Sequence, residues 1–440
     1  MKLALIKKKD SSFWRSCQSI TSNLEESYLK LCQNSGHTCE VLTYETHANS
    51  LESHDLATLV LEKGFDQVIW LDHYPHPQNL IKVLLKHKGK LPKFIIHLFG
   101  DFILQAPLWN NVQDEIEKSN HDFEMHFVCA SQKQKELVHS LLNSSNSEDV
   151  SVIPFPVDEL TFFYNEEDRQ KRRIELDIKE DETLFFYSGR LSYQKNIIDA
   201  IYTFATYSKT FDPKAKLILS GPMDDLGVPY LGKEALDGTF FFHWEECLRE
   251  HTDLVDSNRI IYLGNLTHRD LAATYCAADV FLSLSCHNDE DYGMSPAEAL
   301  CSGLPCLLTD WGGYGSFKAY APDSVCLVPV LPGEQRHGPH RSLAVKGLAS
   351  LGTPQDRGAL TKLSHKKMGI EAVSKELGVL CTSIDENKKL FAGFNKKFFK
   401  LCSLFENNPR APFRGPNGQY SLFYHELYGA YWKSSEEATK

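Results

Sequence analysis

Short apolar runs recur along the first third of the chain, at residues 2–6, 40–44, 67–71, 93–98, 126–130 and 151–154, with polar or helix-period sequence between them. Runs this short, continuous rather than alternating, predict strands buried on both faces of a parallel sheet. Between the first two, Leu24, Tyr28 and Leu31 fall at helical spacing, which predicts a helix over 20–33 that stops at Gly36. The rhythm halts in the charged stretch 166–182, then restarts. A strand is expected at 183–188 and a helix at 195–209, with Ile197, Ile201, Phe204 and Ser208 along one side. Further strands are expected at 216–220, 260–263, 280–284, 304–308 and 325–329. The pattern is that of two doubly wound α/β units, in which ligands sit outside the carboxyl ends of strands and a cleft between the units is the default site.

The 440-residue length agrees, being too long for one ordinary core. The expected division is 1–165 as the first α/β domain, 166–182 as a linker and 183–415 as the second domain. Within the second, 331–369 reads as a loop, rich in Gly, Pro and basic residues. The cluster Arg336, His337, His340 and Arg341 in that loop reads as a solvated surface. Residues 416–440 form a terminal helix, whose stripe of Tyr420, Phe423, Tyr424, Leu427, Tyr428 and Tyr431 suits packing against a domain. A formal net charge of −11 argues against generalised nucleic-acid binding but leaves room for a local basic pocket. No apolar run approaches the length of a membrane-spanning helix, and residues 1–14 read as a first strand rather than a signal peptide. Twelve cysteines without a CxxC pair read as reduced thiols, which places the chain in the cytosol. Peripheral association with a membrane surface stays open.

Two stretches carry candidate chemistry. In Glu290-Asp-Tyr-Gly293-Met294-Ser295-Pro296-Ala-Glu298, carboxylates flank a glycine turn that opens a helix. Ser295 suits the N-cap and Pro296 the first helical position, and the free N–H groups of such a start attract an anion. The same residues also spell a capping box, with Glu298 turned back on Ser295. In Ser188-Gly189-Arg190-Leu-Ser-Tyr-Gln-Lys195, a strand leads through two basic residues into a helix. Arginine offers phosphate a planar fork and lysine a mobile point charge. Upstream, His97 ends an apolar strand and is followed by Gly100 and Asp101. Asp72-His73-Tyr-Pro-His76 lacks a clear third histidine for a catalytic metal.

Taken in order, GRLSYQKN, LILSGP, YLGNLTHRDLAATYCAADVFLSLS, the E-x7-E spacing in EDYGMSPAE and AEALCSGLPCLLTDWGG resemble the family 4 retaining glycosyltransferases of the GT-B fold. The likeness is strongest over 183–315. In the front half it is weaker, carried by SGHTCEVLTY, FIIHLFGDF and SVIPFPVDELTFF. It implies two Rossmann-like domains facing across a cleft and a terminal helix that crosses back to the first. It also implies a nucleotide diphosphate sugar as donor, an unidentified sugar, glycan, lipid or protein acceptor, no cofactor and metal-independent catalysis. On that pattern Arg190 and Lys195 bind the diphosphate, Glu298 the ribose hydroxyls, and Glu290 the donor sugar. Gly189, Gly293, Met294 and Ser295 lend contacts to sugar or phosphate, and His97 faces the sugar from the first domain. The loop 7–13 departs from the pattern by having no glycine, which puts the first domain's phosphate contact in question. The architecture would also serve a nucleotide-sugar epimerase or a binding scaffold with little activity.

Overall fold

The computed structural model describes residues 1–9, 15–44, 50–72, 76–87, 89–100, 102–119, 122–143, 149–224, 239–288, 290–334, 337–351, 356–386 and 390–432. These form two compact units, Met1–Val157 with Met368–Asn407, and Asp158–Lys367 with Asn408–Lys440.

The first unit holds six parallel strands, β1 (Lys2–Lys8), β2 (Thr38–Tyr44), β3 (Gln67–Trp70), β4 (Lys93–His97), β5 (Met125–Cys129) and β6 (Val150–Val152), in the order β2-β1-β3-β4-β5-β6. The apolar runs read from the sequence are these strands. Leu3, Ala4, Leu5 and Ile6 are wholly buried, as a sheet covered on both faces requires. The helix Arg15–Ser35 turns Ile20, Leu24, Tyr28 and Leu31 onto the sheet. Helix Ile370–Glu386 packs on it at Gly378, where a side chain would come within 2.9 Å of Leu31. Its carbonyls at Cys381 and Ile384 accept from Gln67 Nε2 at 2.8 Å and Lys93 Nζ at 2.6 Å.

The second unit holds β7 (Leu184–Ser188), β8 (Lys216–Ser220), β9 (Ile260–Tyr262), β10 (Val280–Ser283), β11 (Cys306–Thr309) and β12 (Val325–Val328), all parallel, in the order β12-β11-β10-β7-β8-β9. From β7 the chain builds one half of the sheet through β8 and β9, then crosses to build the other through β10. β7 and β10 therefore flank the topological switch point, where the loops diverge and leave a crevice.

The units depart from the expected division at four places. Residues 368–407, assigned by sequence to the second domain, pack with the first. The terminal helix Leu422–Trp432, expected to cross back, belongs to the second. The expected linker is in part the helix Glu166–Glu175, capped by the Asn165 side chain. It lacks an apolar stripe and is held instead by ion pairs, Arg169 and Arg173 reaching Asp279 at 2.6 and 3.3 Å. The expected loop 331–369 contains the strand pair Val330–Leu331 and Gly338–Pro339 and the helices Arg341–Ser350 and Arg357–Met368. Of its basic cluster, Arg341 is exposed and pairs with Asp199, His340 is half-buried, His337 is buried against the expectation of a solvated surface, and Arg336 lies outside the described residues. No described helix is long and apolar enough to cross a membrane, and all twelve cysteines are free thiols.

Candidate functional site

The loop leaving β7 is stitched to its neighbours by backbone groups. Gly189 N–H donates to Ser220 O at 3.0 Å, and Leu191 N–H to Pro222 O at 2.9 Å. Gly189 and Gly221 both hold positive φ, 151° and 133°. A Cβ on Gly221 would lie 1.9 Å from the Gly189 carbonyl oxygen, so the two backbones meet where no side chain fits. On the other side, Ser285 Oγ donates to Gln194 O at 3.2 Å. Asn196, at φ 55°, gives its side-chain N–H to Leu284 O at 3.0 Å. That bond turns the chain into the helix Ile197–Thr210 and hangs Lys195 over the carboxyl end of β10.

Lys195 Nζ meets Glu290 Oε2 at 2.5 Å, and the Glu290 side chain is only 6% exposed. Arg190 reaches Asp224 at 2.9 Å. Its carbonyl accepts from the Tyr187 hydroxyl at 2.7 Å, which sets the loop's height above β7. The Tyr187 phenol is pushed up by burial and then by the Glu290 charge, with Arg190 opposing. Arg190, Lys195 and Glu290 thus act on one small volume, although they come from two loops a hundred residues apart.

The helix Met294–Cys301 begins two residues earlier than expected. Gly293, at φ 109°, stands at the N-cap, and no side chain caps the helix. Ser295 is therefore inside the first turn, and the capping-box reading does not hold. Glu298 instead accepts from the buried Tyr275 hydroxyl at 3.1 Å. Burial first and then the Glu298 charge push its phenol far up, with the nearby Ser188 and Ser295 hydroxyls opposing. Tyr275 so joins the end of β7, the helix start and Glu298. Sequence reasoning missed it because it lies in a helix, His268–Ala277, whose role there is core packing. Gly293 faces Tyr314, and any Cβ would come within 2.5 Å of that ring. Met294 is buried on the same turn.

His287 is the other residue that sequence reasoning missed. It is buried at the end of the β10 loop, and its imidazole is held neutral by burial first, then by the Lys195 and Arg190 charges. A lone histidine outside any motif gives no sequence signal.

In the first unit, His97 closes β4, 3% exposed, its Nε2 2.9 Å from the Tyr28 hydroxyl. Burial, then His126, pulls its pKa down to about 3. This imidazole offers a neutral hydrogen-bonding group, not a positive charge. Asp101 and residues 10–14 of the glycine-free loop lie outside the described residues, as does His73 of the motif considered for a metal. Among the described residues no three His, Cys, Asp or Glu side chains gather as a metal site.

The neutral histidines set a pH dependence. His97, at about 3, and His337, lowered to about 4 by burial and then by His425 and Arg414, both sit below the ordinary 6.5. The unfolded chain takes up these protons first, so stability is whole above pH 6.5 and falls as pH drops toward 4 and 3. By linkage each site should cost about 2 kcal/mol at pH 5 relative to pH 7. Urea unfolding at the two pH values should show a loss that His337→Phe reduces.

Residues 168–318 match the family described as glycosyl transferases group 1. The alpha-monoglucosyldiacylglycerol synthase of Streptococcus pneumoniae is 29% identical over 185 residues, 41% of this chain and 36% of that protein. The enzyme of the same name from Acholeplasma laidlawii is 24% identical over 181 residues, 40% and 39% respectively. The chain thus spans under two fifths of the length of these curated relatives. Among solved structures, Anabaena HepE in complex with UDP-glucose aligns with a TM-score of 0.57 at 15% identity, over 87% of this chain and 100% of that one. A glycosyltransferase from Rickettsia africae aligns at 0.60 and 14%, over 88% and 99%. The two six-stranded parallel sheets are those of the GT-B fold, and the resemblance to family 4 glycosyltransferases extends from motifs to architecture.

Proposed function

We propose that this chain, whose residues 168–318 match the group 1 glycosyl transferases, moves a sugar from a nucleoside diphosphate sugar to an acceptor with retention of configuration. The observation that carries the reading is the Lys195–Glu290 pair, 2.5 Å apart beside Arg190 at the switch point of the second sheet. An arriving diphosphate competes for Lys195. As the ammonium swings to phosphate it frees the Glu290 carboxylate to accept from sugar hydroxyls, so donor binding itself sets the site. Arg190 and Lys195 then face the charge that grows on the leaving diphosphate, while the N–H groups after Gly293 face donor oxygens. Glu298, held by Tyr275, takes the ribose hydroxyls.

Nothing in this set is placed as a covalent nucleophile. Attack from the face of the departing diphosphate, with its oxygen taking the acceptor proton, accounts for retention without one. The reaction is metal-independent, and the cytosol suits a chain of twelve free thiols. The UDP-glucose bound by Anabaena HepE and the name of the curated relatives make UDP-glucose the first donor to try and a lipid hydroxyl the first acceptor.

Two measurements test the reading. Among UDP-, ADP- and GDP-glucose, the true donor at a hundred times its Kd should stabilise the fold by about 2.7 kcal/mol, read as a rise in Tm. The anomeric coupling of the NMR spectrum should then show product with the configuration of the donor. An inverted product would remove the same-face mechanism, and protection by no nucleotide sugar would remove the donor site.

A further inference from the structure

The terminal helix Leu422–Trp432 is stitched to the loop that carries Glu290. The Tyr431 hydroxyl donates to Asp291, immediately after Glu290. The Tyr431 carbonyl accepts from Gly312 N–H at 3.0 Å, and the adjoining Gly313 N–H donates to the Glu290 carbonyl at 2.8 Å. Two turns earlier in the helix, the Tyr424 hydroxyl donates to Asn288 Oδ1 at 3.1 Å. The loop is therefore gripped on both sides of Glu290. Gly312 has no room to yield: its Cβ would fall 2.5 Å from Glu290 O and 3.1 Å from the Tyr431 ring.

The helix is itself fixed from below. Trp432 stacks on Trp311 with centroids 5.3 Å apart and planes 6° from parallel, and the buried His337 ring lies 4.6 Å from Trp432. Packing alone does not call for the phenols. Tyr424 and Tyr431 are 0% and 1% exposed, and phenylalanine would fill the same space without burying a polar group. Both hydroxyls are spent on the acidic loop.

We infer that Tyr431 and Tyr424 are positioning residues, which hold Glu290 at the height where its carboxylate meets the donor sugar. The inference rests on the reading of Glu290 as a sugar contact. It predicts a specific signature, because the diphosphate is held by Arg190 and Lys195 from the opposite loop: loosening Glu290 weakens recognition of the sugar and spares that of the nucleotide.

Calorimetric titration of the full chain with UDP and with UDP-glucose, with the ADP and GDP pairs alongside, reads this directly. Tyr431→Phe and Tyr424→Phe should each lower UDP-glucose affinity about tenfold and leave UDP affinity within about twofold, the loss of one hydrogen bond to a fixed partner. Tm should fall by no more than a few degrees, since each variant leaves one buried acceptor, Asp291 or Asn288, short of a donor. Glu290→Gln is the control and should show the same selective loss. Equal loss for UDP and UDP-glucose with a larger fall in Tm would make the tyrosines merely structural and overturn the inference, as would wild-type affinity in both variants. If Tyr431→Phe does not fold, Tyr424→Phe, whose ring stacking is kept, decides alone. Selective loss in neither the tyrosine variants nor Glu290→Gln, or wild-type protein that binds none of the nucleotides, locates the failure in the donor-site reading instead.

Discussion

Replacing Lys195 by alanine is expected to lower transfer from a nucleoside diphosphate sugar by about 10²–10³-fold, the usual cost of one preorganised group facing leaving-group charge. The substitution has a second effect that must be separated from the first. It leaves the Glu290 carboxylate, 6% exposed, without its ammonium partner at 2.5 Å. An orphaned buried charge costs several kcal/mol, about 3–5 when fully enclosed and less at this half-open position. Lys195→Ala should therefore be both less active and less stable. Adding Glu290→Gln removes the orphaned charge, so the double variant should recover most of the lost Tm and none of the lost turnover. Lys195→Arg keeps the charge and should retain a larger share of activity. Recovery of turnover in the double variant would show that Lys195 acts only through stability.

Gly221→Ala should be among the most damaging single-methyl changes in the chain. The residue holds φ 133°, which an L side chain rarely adopts, and the new Cβ would lie 1.9 Å from the Gly189 carbonyl oxygen. Backbone strain of about 1–3 kcal/mol and a forced shift of similar size add to a loss of about 3–5 kcal/mol. The shift falls on the loop that leads into Arg190, so nucleotide binding should weaken as well. Denaturant unfolding measures the first and titration with UDP the second. Gly264→Ala is a useful comparison, since it also has positive φ, 65°, but nothing within 4 Å of its Cβ. If the two variants lose equal stability, conformation alone is at work and the close approach of the loops is irrelevant.

The strands were legible because a parallel sheet leaves continuous apolar runs, and β1, β4, β7, β8 and β10 fall where those runs lie. The motifs that carry Arg190, Lys195, Glu290 and Glu298 adjoin strand ends, which is why sequence alone could single them out as candidates. Other elements gave no such signal. Helix Glu166–Glu175 has charges where an apolar stripe is expected, since its anchors are Arg169 and Arg173 on Asp279. Helices Arg341–Ser350 and Arg357–Met368 follow a stretch whose Gly, Pro and basic content reads as loop. The Ser295-Pro296 pair marks a helix start in sequence, yet the positive φ of Gly293 lets the helix begin two residues sooner. Periodicity showed that the terminal aromatic stripe is buried but not against which unit, because the identity of a packing partner is not written in a helix's own spacing. Tyr275 and His287 stayed hidden for a related reason: each gains its role only when distant loops converge.

The chain passes from the first unit to the second after Val157, returns at Met368 and leaves again after Asn407. During synthesis the first sheet must therefore wait for residues 368–407. Until helix Ile370–Glu386 emerges, Gln67 lacks the Cys381 carbonyl that now satisfies its amide, and the outer face of Leu31 is bare. The helix that braces Glu290 is made later still. A ribosome that stalls before residue 407 leaves neither unit complete, so incomplete chains present open apolar faces to chaperones or proteases.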